Sequence, residues 1–98
     1  MASASYYDDL RGRVRAVLFI VAEQLPRMTV ELVTELIDAN ESGVALETIS
    51  EVLVERESRI TADTLDMVRA LVTTMGLDAV TVERLEPLLA AGDDGLHA

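Results

Sequence analysis

The chain has 98 residues and a mass of 10.7 kDa, which is the size of one compact domain. Half of its residues are apolar, so an intrinsically disordered chain is excluded. It carries 18 Asp and Glu residues against 8 basic residues, all of them arginine, and its net charge is −10. Because binding to phosphate requires a basic surface, we expect no binding to nucleic acid and none to anionic membranes.

The residue content also excludes several kinds of site and location. Cysteine is absent, which rules out disulfides, thiolate catalysis and cysteine-ligated metals, and the only histidine is His97 near the C-terminus. The longest apolar run, residues 16–22, is far shorter than the ~20 residues that cross a bilayer. Residues 1–7 lack the basic start of a signal peptide. We predict a cytoplasmic protein with no cofactor and no metal site.

Apolar residues recur at helical spacing along the chain, and no strand-like alternation is sustained. The spacing predicts a first helix over about residues 8–24, closed by Pro26, since the residue before a proline is disfavoured in the α conformation. Thr29 is the predicted N-cap of a second helix. Met28 before it is expected to pack on Val33 as a hydrophobic staple.

Small and polar residues predict the turns that follow. Residues 40–43 end the second helix, with Gly or Asn able to take the left-handed cap. Gly43 is also expected to allow the tight reversal into a third helix, which fades near Glu57. Thr61 is the predicted N-cap of a fourth helix, and Gly76 ends that helix.

A last helical piece over about residues 81–91 contains Pro87, which costs ~3 kcal/mol in a helix interior and predicts a kink. Short connections favour antiparallel neighbours. The predicted fold is therefore all-α: a small antiparallel helical bundle of four main helices plus a short kinked C-terminal helix. It forms a single domain, 1–98, with loose termini at about 1–7 and 92–98.

The residues predicted to be buried are Leu10, Val14, Val17, Leu18, Val21, Leu32, Val33, Leu36, Ile37, Ala45, Leu46, Ile49, Val52, Leu53, Leu65, Val68, Leu71, Val72, Met75, Val82, Leu85, Leu88 and Leu89.

The charge is concentrated in the middle of the chain. Residues 1–30 carry a net charge of +1, residues 31–66 carry −8 and residues 67–98 carry −3. Carboxylates follow helical spacing on the second helix (31, 35, 38) and on the third (47, 51, 55), although like charges at that spacing destabilise a helix by a few tenths of a kcal/mol. This pattern predicts one negative surface across both helices. The alternative is a solvated face that only keeps the protein soluble.

Carboxylates are the only groups suited to catalysis that occur in number, and they fall at exposed positions of amphipathic helices. The chain has no phosphate-binding glycine loop, no dinucleotide-binding glycine pattern and no nucleophilic-serine motif. We therefore predict that the protein is not an enzyme.

The segment over residues 35–77 carries a more specific pattern. It contains Leu36-Ile37-Asp38, then Asn40-Glu41-Ser42-Gly43-Val44-Ala45-Leu46-Glu47-Thr48-Ile49, then Ile60, Leu65 and Leu71 through Met75-Gly76-Leu77. In these positions the chain resembles the MafI-type immunity proteins, small acidic helical proteins of polymorphic and contact-dependent bacterial toxin systems. Ser42 stands where that family usually has an aromatic residue.

The resemblance implies a protein that binds and neutralises a cognate bacterial toxin with a basic surface, and a nuclease is the expected toxin. An acidic helical face can occupy a basic nuclease cleft in place of the phosphate backbone, and complementary charge accelerates association. Val44 is the candidate apolar anchor, and Gly43 has the conformational role given above. The predicted partner-binding residues are Asp38, Glu41, Val44, Glu47, Glu51 and Glu55.

Two alternatives to toxin immunity follow from the same residues. The acidic face could serve a small adaptor or regulatory subunit that binds another basic protein. The run over residues 16–22 is apolar around most of a helix, so the first helix is either central in the bundle or shared in a homodimer through residues 14–22.

Overall fold

The computed structural model describes residues 4–90, which fold into helices joined by short turns, with no strand among them. This confirms the predicted all-α bundle. Two 3₁₀ turns, Ala22–Gln24 and Glu86–Leu88, follow the first and last helices. The helices of the described residues are α1 (Ala4–Val21), α2 (Arg27–Asp38), α3 (Ser42–Glu55), α4 (Ala62–Met75) and α5 (Val80–Glu83).

The prediction of a loose segment at residues 1–7 is wrong for residues 4–7, which belong to α1. Residues 1–3 and the predicted loose segment at 92–98 lie outside the described residues. None of the helices within residues 4–90 is long and apolar enough to cross a membrane.

Helix α1 is the centre of the bundle and packs against α2, α3 and α4. Its predicted inner face is confirmed in full, and Val14 and Val17 are completely buried. The buried residues of α3 and α4 also follow the predicted pattern. The prediction that Leu32 of α2 is buried is wrong, because this residue is 49% exposed. The apolar stripe of α2 is narrower than its spacing suggested, with Val33 and Ile37 buried and Leu36 half-buried.

The predicted start of α2 is also wrong. The helix begins at Arg27, directly after Pro26, and no side chain caps it. The carbonyl of Pro26 accepts hydrogen bonds from the N–H groups of Thr29 and Val30, so Thr29 lies inside the first turn. Because the helix starts early, Met28 projects outward, is 80% exposed and cannot act as a staple.

Three helices end with the same backbone motif. Asn40, Glu57 and Gly76 each have a positive φ just beyond α2, α3 and α4. The next N–H donates to a carbonyl five residues back, as in Glu41 to Leu36 at 2.8 Å. This is the Schellman motif, in which a left-handed residue satisfies the last carbonyls of a helix.

The predicted role of Gly43 in the reversal is therefore wrong, because Asn40 takes the left-handed conformation in that turn. Gly43 lies in the first turn of α3. A Cβ added to it would lie 3.3 Å from Cδ2 of Leu77, so its small size permits close packing of the segment after α4. The backbone of Gly43 does not have a positive φ, so its conformation does not require glycine. What favours glycine at this position is the short distance to Leu77.

The chain after α4 folds back as two short helical pieces rather than one helix. Pro87 lies in the 3₁₀ turn after α5, and this break confirms the predicted kink. Ile60 then pairs with the end of this segment: its N–H donates to the Leu88 carbonyl at 3.0 Å, and its carbonyl accepts from the Ala90 N–H at 2.9 Å. Leu85, which lies between α5 and the 3₁₀ turn, is completely buried.

We expect Gly76→Ala to lower the free energy of unfolding by about 1 kcal/mol, because a Cβ disfavours the left-handed conformation. No atom lies within 4 Å of the added Cβ, so the cost is purely conformational. Gly12→Ala is the matched control: this glycine lies inside α1 with open space around it, and the change should raise the free energy by about 0.5–1 kcal/mol. Urea titration of both variants measures the two shifts. A gain at both positions would contradict the assignment of Gly76.

Candidate functional site

The carboxylates of α3 form the acidic feature that the sequence predicted most directly. Glu47, Glu51 and Glu55 recur every four residues along the helix. Glu51 and Glu55 are exposed and Glu47 is half-buried. Among residues 4–90, none of the three has an ion-pair or hydrogen-bond partner.

An open cleft of about 280 Å³ separates this part of α3 from the segment that follows α4. We call it the acidic cleft. Three carboxylates and one guanidinium line it, which gives it a net charge of −2. Its lining residues are Glu47, Ser50, Glu51 and Val54 on α3, and Asp78, Val80, Thr81 and Arg84 on the opposite wall.

The turn after α4 positions the opposite wall of the acidic cleft. The left-handed Gly76 redirects the chain, and the Leu77 N–H donates to the Val72 carbonyl at 3.0 Å. Asp78 then accepts a hydrogen bond on Oδ1 from the N–H of Val80 at 3.0 Å. This bond fixes the carboxylate at the start of α5 and places it across the cleft from α3.

Ser50 is a polar residue of the acidic cleft without a partner. It is 5% exposed, and its Oγ makes no hydrogen bond within the described part of the chain. Buried hydroxyl groups are nearly always hydrogen-bonded, so an unpaired one requires an explanation. Ser42, the first residue of the same helix, has a second buried hydroxyl of this kind but does not line the cleft.

Asp38 faces a different neighbour from the α3 carboxylates. Its Oδ1 pairs with the guanidinium of Arg15 on α1. Arg11 of α1 also reaches this end of α2, where its Nη1 donates to Oδ1 of Asn40 at 2.9 Å. Both arginines lie at the C-terminal end of α2, where positive charge is favourable to the helix dipole. An arginine of α1 therefore neutralises one of the carboxylates that were assigned to the predicted acidic surface.

The carboxylates predicted to form one surface across α2 and α3 therefore lie in two different places. Asp38 lies on the α1 side of the molecule, whereas Glu47 and Glu51 face the segment after α4. Glu41 is exposed at the entry to α3, and Val44 is 45% exposed on the same helix. Val44 shares its helical face with Glu51, because seven residues make two turns.

Sequence reasoning did not find the second wall of the acidic cleft. Asp78 and Arg84 belong to no acidic or apolar periodicity, and Ser50 occupies a core position among apolar residues. The one available signal was Gly76, which predicted a helix end and hence a change of direction before Asp78. Where that segment returns depends on its packing against α3 and Ile60.

The acidic cleft is not arranged as a metal site. Residues 4–90 contain no group of three or more His, Cys, Asp or Glu side chains that could hold a metal ion. What the arrangement can provide is a concave, negative surface for a cationic side chain, with a hydroxyl oxygen in its wall.

No protein-family model matches the chain, and it has no significant match among the curated proteins or the solved structures.

We expect Ser50→Ala to leave the free energy of unfolding unchanged or to raise it by up to ~1 kcal/mol, because the hydroxyl it removes is buried and unpaired. Thr61→Ala is the contrasting variant. Thr61 Oγ1 accepts the Thr64 N–H at 3.1 Å as the N-cap of α4, which confirms that predicted cap, and its removal should cost ~1 kcal/mol. Denaturant unfolding compares the two. A loss at Ser50 equal to that at Thr61 would show that the Ser50 hydroxyl has a stabilising partner.

Proposed function

We propose that the protein is a non-enzymatic immunity protein that binds a cognate bacterial toxin through α3 and the acidic cleft. The toxin is expected to be a nuclease, because a nuclease binds phosphate through a basic surface that carboxylates can occupy. Inhibition then needs no chemistry from this chain. It requires only that the complex form before the toxin reaches its substrate.

The observation that supports this proposal is the uneven pairing of the acidic residues. Each arginine of α1 is matched with a carboxylate: Arg11 with Asp8, Arg13 with Asp9 and Arg15 with Asp38. The α3 carboxylates have no such partner in residues 4–90, even though Arg84 lies in the same cleft. Their charge is therefore left uncompensated.

Uncompensated charge of this kind acts mainly on the rate of association. A negative concave surface focuses the field and attracts a basic partner, which raises the association rate toward ~10⁸ M⁻¹s⁻¹ at low salt. A lysine or arginine of the toxin would enter the acidic cleft between Glu47 and Asp78. Arg84 would move aside from it, since it is held by no carboxylate there.

Durable binding requires apolar contact in addition to charge. Val44 is exposed on α3, and Val80 is 43% exposed at the edge of the acidic cleft. Val44 shares a face of α3 with Glu51, Val80 lies in the opposite wall of the cleft, and these two side chains are the apolar anchors in this proposal. Asp38 is placed outside the contact, because its charge is already paired with Arg15.

The partner is identified by co-expression with the polypeptide encoded by the adjacent reading frame. We expect the two chains to purify together and the protein to protect cells that express the toxin. Purification of this chain alone, together with unprotected cells, would overturn the proposal.

Glu47→Arg combined with Glu51→Arg is expected to slow association with that polypeptide at least about ten-fold at low salt, because the cleft loses its negative charge. Glu51 is exposed and Glu47 is half-buried at the open cleft, so we expect the fold to be retained, which circular dichroism checks. Glu31→Arg combined with Glu35→Arg is the matched control: it has the same spacing and the same change in net charge, but it lies on α2. Surface plasmon resonance measures both association rates. Equal slowing by the two variants would show that total charge acts, and not the α3 surface.

A further inference from the structure

The outer face of α1 carries two large apolar side chains that the bundle leaves exposed. Phe19 is 86% exposed and Ile20 is 50% exposed, although both lie in the helix at the centre of the fold. A single exposed apolar residue needs no explanation, but a contiguous apolar patch marks an interaction surface.

These side chains border an open groove of about 670 Å³ between α1 and α2, which we call the apolar groove. It is lined by Ala16, Leu18, Phe19 and Ile20 of α1 and by Val30 and Thr34 of α2. Within residues 4–90, Arg15 is its only charged lining residue, and Asp38 already neutralises it. None of the carboxylates in the described part of the chain lines the groove.

The charge of this region differs from that of the rest of the chain. Residues 1–38, which include both walls of the groove, carry six carboxylates and four arginines, or −2, whereas residues 39–98 carry −8. Two copies of a chain with a net charge of −10 repel each other through most of their surfaces. A contact across the outer face of α1 keeps the acidic residues of α3 away from one another and meets the least repulsion.

We infer that a second copy of this chain occupies the apolar groove, with Phe19 of each copy seated in the groove of the other. A two-fold interface must be self-complementary, so that each patch carries both the projecting group and its receptor. Phe19 and the groove lie side by side on one face and meet this condition. A standard interface needs about 800 Å² per partner, which is about one seventh of the 5930 Å² surface of this chain.

The charge argument also favours a second copy over the basic toxin in this groove. A basic partner gains no charge attraction from a groove whose only charged lining residue within residues 4–90, Arg15, is already paired with Asp38. The acidic cleft lies between α3 and α5, so both clefts stay open in the dimer. The inference therefore stands apart from the proposed toxin binding.

Sedimentation equilibrium of the full chain tests the inference from micromolar to millimolar concentration. We expect the mass to rise from 10.7 kDa to twice that value. Phe19→Asp should weaken the dimer roughly 100-fold or more, because two phenyl rings leave each interface. Met28→Asp is the matched control, since Met28 is equally exposed but does not line the groove, and it should dimerise like the unchanged chain. Circular dichroism checks that both variants keep their helices.

Salt provides an independent readout with a definite sign. Raising NaCl screens the repulsion between the two acidic copies, so the dimer should strengthen, whereas binding to a basic toxin should weaken. A chain that stays monomeric at millimolar concentration in high salt would overturn the inference. So would an equal loss of dimer in Phe19→Asp and Met28→Asp. A monomer whose Phe19→Asp variant loses toxin binding would assign the groove to the toxin instead.

Discussion

The burial of one face of α1 is the constraint on which the rest of the fold depends. Val14 and Val17 are completely enclosed, and α2, α3 and α4 all pack on this helix. The protein has one phenylalanine and no tryptophan, and that phenylalanine is on the surface, so the core consists of aliphatic side chains. Stability in such a core comes from many small contacts at close packing, and loss of a central valine would affect all three neighbouring helices.

The arginines of α1 form ion pairs with some of the acidic residues and leave the carboxylates of α3 unpaired. Exposed pairs of this kind contribute only ~0–1 kcal/mol each to stability, so their main effect is on the distribution of surface potential. Arg15 neutralises the end of α2 beside the apolar groove, while the carboxylates of α3 remain uncompensated. A nearly neutral surface and a negative surface thereby coexist on a small domain, and each favours a different kind of contact.

Helical periodicity was sufficient to predict the helices and most of the core, because burial on one side of a helix repeats every turn. The turns were harder, since several residues in a short segment can take the left-handed conformation. Asn40 has that role in a turn where the sequence left Asn and Gly open, and Glu57 has it where no residue was expected. Only one wall of the acidic cleft could be predicted, because the carboxylates of α3 follow from helical spacing along the sequence. Asp78 reaches it through long-range packing that no local pattern encodes.

The pairing of Ile60 with the chain at Leu88 and Ala90 has a consequence for how the cleft could be lost. The wall that carries Asp78 is anchored at one end by the turn at Gly76 and at the other by these two backbone bonds. Cleavage near Pro87 would separate these two backbone hydrogen bonds from the wall without changing any side chain that lines the cleft. A protease acting there would therefore release the wall that carries Asp78 and so disable the acidic cleft.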